Sequence, residues 1–372
     1  MDRPLTGVGY RALHLLRALF TRNDGFDVRL FAARARNTPK SAFPFDHGFT
    51  RQTTVPYFRR LKTVLWPSVE WPPIEWFCGD VDLAHGLFHE LPAARRALRL
   101  VTIHDLSFLL FPETHTKRTV ALQTRLVRHC ARRADAFVAV SESCKNDLIR
   151  TLDVSEDKVF VVPGGVCVEE FQAPVDARTV GALKQRLGLT RDYFIYLGTI
   201  EPRKNLARLL EAYARVRNAR RDCPQLLLVG KTGWLSKQVL ATLETLDAGN
   251  DVVHTGYLER EEALMLLRDA TACVYPSLYE GFGLPVVEAM AARTPVITSN
   301  AAAVVEVSGG TCLHVDAEDV DAIEDGIVQV LDAPDAAKRR AEGAYARAGT
   351  MTWHRSAEKL AQVYTTLAKT GR

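Results

Sequence analysis

The chain has 372 residues, 47% hydrophobic and 25% charged, too many for one ordinary core and suited to two domains of about 150 to 200 residues each. No apolar run approaches the length of about 18 residues that crosses a membrane, and the opening MDRPLTGVGY lacks the apolar core of a signal peptide. Seven cysteines stand alone without a C-x-x-C pair, which reads as reduced thiols in a cytoplasmic protein and excludes a zinc or disulfide framework.

The net charge of +4 is uneven: residues 1–133 hold 21 Lys/Arg against 11 Asp/Glu, and the remainder 27 against 33. A basic first part suits an anionic membrane surface or an acidic acceptor, or is simply a solvated arginine-rich face. Its basic residues are not interleaved with aromatics in a recognisable motif, which argues against a nucleic-acid partner.

In chain order, PLTGVGY (4–10) carries Gly7 and Gly9 in a Gly-x-Gly loop ahead of an amphipathic helix. The signal is weak, because Ala12 stands where a dinucleotide fingerprint has its third glycine. A strand is expected before such a loop, so either the first domain lacks that strand or the natural start lies upstream, the second being the favoured expectation. FRRLKTVLWPSVEW (58–71) mixes apolar with basic residues, which fits either a membrane-facing surface or a buried loop.

Strand candidates then follow at RLVTIHD (99–105), AFVAVSE (136–142) and KVFVVPGG (158–165). A domain boundary is expected within 169–192, around Pro174. A fresh series continues with YFIYLGT (193–199), QLLLVGK (225–231), DVVHTGY (251–257), ACVYPS (272–277), PVITSN (295–300) and TCLHVD (311–316). Helical patterns such as 204–220 and 260–270 separate them. Short, wholly apolar strands alternating with helices predict an α/β fold of two doubly wound parallel-sheet domains with a cleft between them, its chemistry in the loops after the strands.

Three loops carry candidate chemistry. In LYEGFGLPVVEAM (278–290), Gly281 and Gly283 free the backbone, and Pro285 suits a first helical turn. The amides of Phe282, Gly283 and Leu284 would then face outward as a phosphate site. Glu280 and Glu288 flank that site, suited to the hydroxyls of a sugar and a ribose; alternatively they merely complement the helix dipole. In YLGTIEPRKN, Arg203 and Lys204 oppose the dipole of the next helix, so a diphosphate they could neutralise without a metal ion is a better reason for them than helix stability. After RLVTIHD, His104 and Asp105 project from a strand's carboxyl end, where His104 is either a hydrogen-bonded structural residue or a sugar-hydroxyl ligand.

Taken together, EGFGLPVVEAM followed by PVITSN, with GTIEPRKN, HDLSFLLFPE, VSESCKNDL and TGVGY in that order, resembles the retaining glycosyltransferases of the GT-B fold, family 4. The resemblance covers essentially the whole chain and is strongest from 193 to 310. It implies an acceptor-binding Rossmann-like domain at 1–175, with 353–372 crossing back onto it, and a nucleotide-sugar domain at 190–350. It also implies that Glu280 binds the transferred sugar, Glu288 the donor ribose, and Arg203 and Lys204 the diphosphate together with the turn Gly281–Leu284. His104 would lie near the donor sugar, and Gly7 and Gly9 would let the first loop close over the phosphates. Glu280, His104 and Lys204 are then the catalytic candidates, with no metal and no cofactor beyond the donor.

Front-face attack with retention is expected, since no side chain is placed as a covalent nucleophile. The subgroup resembled favours GDP-mannose as donor and a saccharide or lipid-linked oligosaccharide as acceptor, in polysaccharide or O-antigen synthesis, with peripheral contact at the inner membrane face. UDP- and dTDP-sugars stay open as donors. A nucleotide-sugar epimerase and a non-catalytic sugar-nucleotide-binding subunit stay open as alternatives, whereas a glycoside hydrolase would have no use for Arg203 and Lys204. The sequence departs from the family pattern at Arg293, where glycine is usual, in the turn after the helix.

Overall fold

The computed structural model describes residues 7–22, 24–33, 51–55, 58–172, 176–236, 239, 241–243 and 251–370. Pro174 and residues 4–6 of the first glycine loop lie outside these. The chain forms two compact units, one of Met1–Leu109, Arg118–Gly165 and Trp353–Arg372, the other of Leu110–Lys117 and Val166–Thr352.

In the first unit, β1 (Arg29–Ala33) and β2 (Arg51–Val55) form a separate parallel pair. The strands β3 (Leu83–Gly86), β4 (Leu98–Ile103), β5 (Ala136–Ala139) and β6 (Val159–Val161) form a parallel four-stranded sheet in that order. The apolar run behind β4 and β5 is buried throughout its centre, with Leu100, Val101, Ile103, Val138 and Ala139 at 0% exposure, as a sheet covered on both faces requires. The strands β1, β2 and β3 escape a pattern search because RLFAA, RQTTV and LAHG are short and half-buried or exposed.

The first helix runs Gly7–Phe20 and buries Leu13, Leu15, Leu16 and Leu19. It packs on the closing helix Trp353–Thr370, with the Trp353 ring 6.1 Å from Tyr10 and 5.6 Å from His14. This corrects the expected Gly-x-Gly loop: Gly7 and Gly9 form the first turn of the helix itself, and a Cβ on Gly7 would meet nothing within 4 Å. The stretch 58–71 is mostly a helix, Phe58–Val69, rather than the expected loop, and it is buried only in part. Trp66 belongs to a core with Ile74, Cys78, Ala84, Ala93 and Ala97, its indole N–H on Pro72 O at 3.0 Å, whereas Leu61, Val64 and Trp71 are exposed. Among the described residues, no helix is long and apolar enough to cross a membrane.

In the second unit, six parallel strands run in the order β9 (Val252–Gly256), β8 (Gln225–Val229), β7 (Tyr193–Leu197), β10 (Ala272–Tyr275), β11 (Val296–Ser299), β12 (Leu313–Val315). The chain starts in the middle, winds outward to β9, then returns to β10 and winds the other way. The loops after β7 and β10 therefore diverge at the topological switch point, where doubly wound sheets bind ligands. Close backbone approach sets the edge of this crevice: Gly230, after β8, has φ +151°, and a Cβ there would stand 1.8 Å from Gly198 O at the end of β7.

Candidate active site

The loop after β7 turns through Pro202–Lys204 as one 3-10 turn, then reaches Asn205 in the left-handed region at φ 62° before helix Leu206–Ala219. Asn205 pins this loop, since its side-chain amide donates to Pro276 O (3.1 Å) and Ala317 O (2.6 Å) while its oxygen accepts from Arg208 (2.9 Å). Leu278 N, in the loop after β10, donates to Arg203 O at 2.9 Å. Two strand-end loops are thus sewn together before any side-chain charge is considered.

Within that seam Arg203, Lys204 and Glu280 are all buried, at 9%, 8% and 8% exposure. Lys204 Nζ donates to Glu280 Oε1 (2.5 Å) and to the Tyr275 hydroxyl (2.6 Å). Arg203 Nη1 lies 3.1 Å from Glu280 Oε2 and donates to Tyr279 O (2.6 Å), while Nη2 donates to Glu201 Oε1 (2.8 Å). Ser277 Oγ (2.6 Å) and the Tyr275 hydroxyl (3.0 Å) also donate to Glu280 Oε1. The two cations are therefore matched by two carboxylates, Glu201 and Glu280, rather than standing free beside a helix end. Glu280, read from sequence as a neighbour of the anion site, is the partner of both cations.

Burial opposes the Glu280 charge, but Lys204 and Arg203 outweigh it and hold the carboxyl at about 2. Burial and then Arg203 pull the Lys204 ammonium below its usual range, against the attraction of Glu280. The Tyr196 and Tyr275 rings stack at 5.6 Å, and burial, followed by the Glu280 charge, pushes both phenols well up, so they stay neutral donors.

Helix Leu284–Ala291 begins as the sequence predicts, with Gly283 as its N-cap at φ 96° and Pro285 in its first turn. Among the described residues the amides of Phe282, Gly283 and Leu284 make no hydrogen bond within the protein, so this helix end is open to an anion. Glu288 sits further along the helix, where Arg260 Nη1 donates to its Oε1 at 2.9 Å. The same guanidinium donates to Glu170 Oε2 through Nε (2.9 Å) and Nη2 (2.7 Å). Burial raises the Glu288 pKa despite Arg260.

The second unit thus brings together Arg203, Lys204, Glu280 and the turn Gly281–Leu284, with Glu288 on the same helix. Gly7, Gly9 and His104 belong to the first unit. There His104 Nε2 bonds Leu87 O at 2.8 Å, which assigns the proton to Nε2, and its backbone N–H donates to His89 Nε2 at 3.0 Å. Burial, then Arg11, pull the ring to about 3. His104 is therefore neutral, and its Nδ1 is left as an acceptor suited to a hydroxyl rather than a phosphate.

Sequence reasoning missed Glu201, Asn205, Tyr275, Ser277 and Arg260. Arg260 was within reach, because it opens helix Arg260–Asp269 against the dipole, the argument that singled out Arg203 and Lys204. The Arg293 departure resolves locally: its φ is 59°, its guanidinium bonds Glu342 at 2.9 and 3.0 Å, and it stacks 4.0 Å over the Tyr345 ring.

Residues 182–347 match the model of the glycosyl transferases group 1 family, and residues 5–170 that of glycosyltransferase family 4. The chain is 29% identical over 335 residues to O-antigen chain mannosyltransferase B of Escherichia coli, covering 88% of this chain and 87% of that one. It is 32% identical over 243 residues to the MMP alpha-(1->4)-mannosyltransferase of Mycolicibacterium hassiacum, covering 64% of this chain and 55% of the relative. Among solved structures, sucrose-phosphate synthase from Thermosynechococcus elongatus superimposes with a TM-score of 0.75 at 22% identity, over 97% of this chain and 93% of that one.

Proposed function

Because the chain belongs to the family 4 glycosyltransferases of the GT-B fold and is a hexosyltransferase, we propose that it moves mannose from GDP-mannose to a saccharide or lipid-linked saccharide acceptor, with retention and without a metal ion. The observation that carries this reading is the buried Arg203–Lys204–Glu280 cluster beside the open helix end at Gly283. Mannose as the sugar is supported by two relatives named mannosyltransferases, and O-antigen or a similar polysaccharide as the product by the first of them.

In this reading the diphosphate competes with Glu280 for Arg203 and Lys204 and takes the amides of Phe282–Leu284. Displaced from its cations, Glu280 accepts hydrogen bonds from the sugar hydroxyls, and Glu288 accepts those of the ribose. In the first unit, His104 offers Nδ1 as an acceptor to a substrate hydroxyl. As the bond between the anomeric carbon and the phosphate oxygen breaks, the growing charge on the diphosphate is met by groups already in place. The acceptor oxygen bonds to the anomeric carbon on the same face, and its proton passes to the departing phosphate oxygen.

The test is thermal shift in EDTA with GDP, UDP, dTDP, ADP and their sugar conjugates, followed by NMR of the product anomer. GDP and GDP-mannose should raise the Tm, and Lys204→Ala and Glu288→Ala should abolish the rise. A shift confined to UDP-sugars overturns the donor, a requirement for added divalent metal overturns metal independence, and an inverted anomer overturns retention.

A further inference from the structure

Arg11 lies on the second turn of the first helix and is 3% exposed, among the least accessible charges of the first unit. Its Nη2 donates to Val162 O (2.7 Å), just past the carboxyl end of β6. Its Nε is buried with no hydrogen-bond partner, and among the described residues no carboxylate forms an ion pair with it.

The neighbours that feel its charge cannot balance it. His85 is bonded to the Tyr364 hydroxyl at 2.7 Å and Thr102 Oγ1 at 2.8 Å, and it is neutral, pulled to about 3 by burial and then by Arg11. His104 is neutral for the same reasons. The Cys144 thiol is pushed up to about 12 by burial, so it supplies no negative charge either. Arg11 itself, lowered to about 10 by burial, stays a cation at neutral pH. An unmatched buried cation destabilises a fold unless something outside the fold balances it. This one stands where the strands of a parallel sheet end, the edge at which such sheets bind ligands.

We propose that Arg11 is a phosphate-binding residue of the first unit, its unspent guanidinium donors taking the oxygens of a phosphate group carried by one of the substrates. This rests on the glycosyltransferase reading, in which the donor carries a diphosphate and a lipid-linked acceptor carries another. A planar guanidinium suits such a group because it offers paired parallel N–H bonds.

The experiment compares wild type, Arg11→Gln and Arg11→Lys by calorimetry with pyrophosphate, GDP and GDP-mannose. It adds steady-state kinetics on phenyl α-mannoside and on its polyprenyl-diphosphate-linked counterpart. The Arg11→Gln protein without ligand should melt at or above the wild-type temperature, because an unmatched charge has been removed. If the donor is the source, affinity for GDP and pyrophosphate falls by about tenfold or more in Arg11→Gln and less in Arg11→Lys. If the acceptor is the source, nucleotide affinity holds and KM rises for the diphosphate-linked acceptor alone. An Arg11→Gln protein that melts several degrees lower while every affinity and KM stays at the wild-type value overturns the inference and makes Arg11 a brace for Val162. A wild-type protein that binds none of the anions overturns the underlying reading as well.

Discussion

Lys204 is where stability and chemistry are most tightly joined. Lys204→Met removes one of two cations from a buried carboxylate, which costs about 3 to 5 kcal/mol of stability. Donor kcat/KM should fall by roughly 100- to 1000-fold, the scale of removing one preorganised charge contact. Urea unfolding and single-donor kinetics check the two parts separately, and a variant that keeps full activity would remove Lys204 from the site. Glu280 and Glu288 answer acid in opposite ways. Glu280 has its pKa depressed from 4.5 to about 2, so the stability it contributes is complete above 4.5 and is lost as pH falls toward 2. Glu288 has a raised pKa, so the native state gains from its protonation and its own contribution declines as pH rises through a window beginning above 4.5. The ionised form is the stronger acceptor for a ribose hydroxyl. GDP affinity should therefore weaken as pH drops through that window, and the acid limb should vanish in Glu288→Gln; titrations from neutral pH down to 4.5 would reveal it. The candidate glutamates and cations were legible because each broke a local rule, a charge against a dipole or a carboxylate beside a glycine turn. Their pairing was not legible, because residues 203–204 and 280 meet only through the sheet order.

At the level of elements, nine strands were readable from apolar runs bounded by Gly, Pro or Asp, whereas β1, β2 and β3 were not, because half-exposed strands do not stand out from loops. The reading of Gly7 and Gly9 as part of a loop failed for a related reason: glycine lowers helix propensity, but the packing of Leu13, Leu16 and Leu19 carries the helix back to Gly7. Two glycine substitutions separate the consequences. Gly7→Ala places its methyl in open space on a helix, so the melting temperature should hold or rise slightly. Gly230→Ala forces a methyl to 1.8 Å from Gly198 O at φ +151°, so the strand ends must part and the protein should be markedly less stable and lose nucleotide binding. Equal melting temperatures for the two variants would contradict this account of the crevice edge.

On the scale of the whole molecule, each unit has its own sheet and core, and the first is completed by residues far along the chain. Trp353, Leu360 and Val363 are buried in helix Trp353–Thr370 against the first unit. Trp353→Ala, costing about 3 to 5 kcal/mol, should strip hydrogen-exchange protection from helix Gly7–Phe20 while β7 to β12 keep theirs; uniform loss in both units would count against their independence. The same arrangement imposes an order on birth. During synthesis the second unit's main segment, Val166–Thr352, is made before the helix that closes the first. The earlier-made unit therefore waits, its apolar face uncovered, for the later-made one to finish. A ribosome that stalls between the two would release a protein with a complete six-stranded sheet and an open neighbour, a natural substrate for chaperones and proteases.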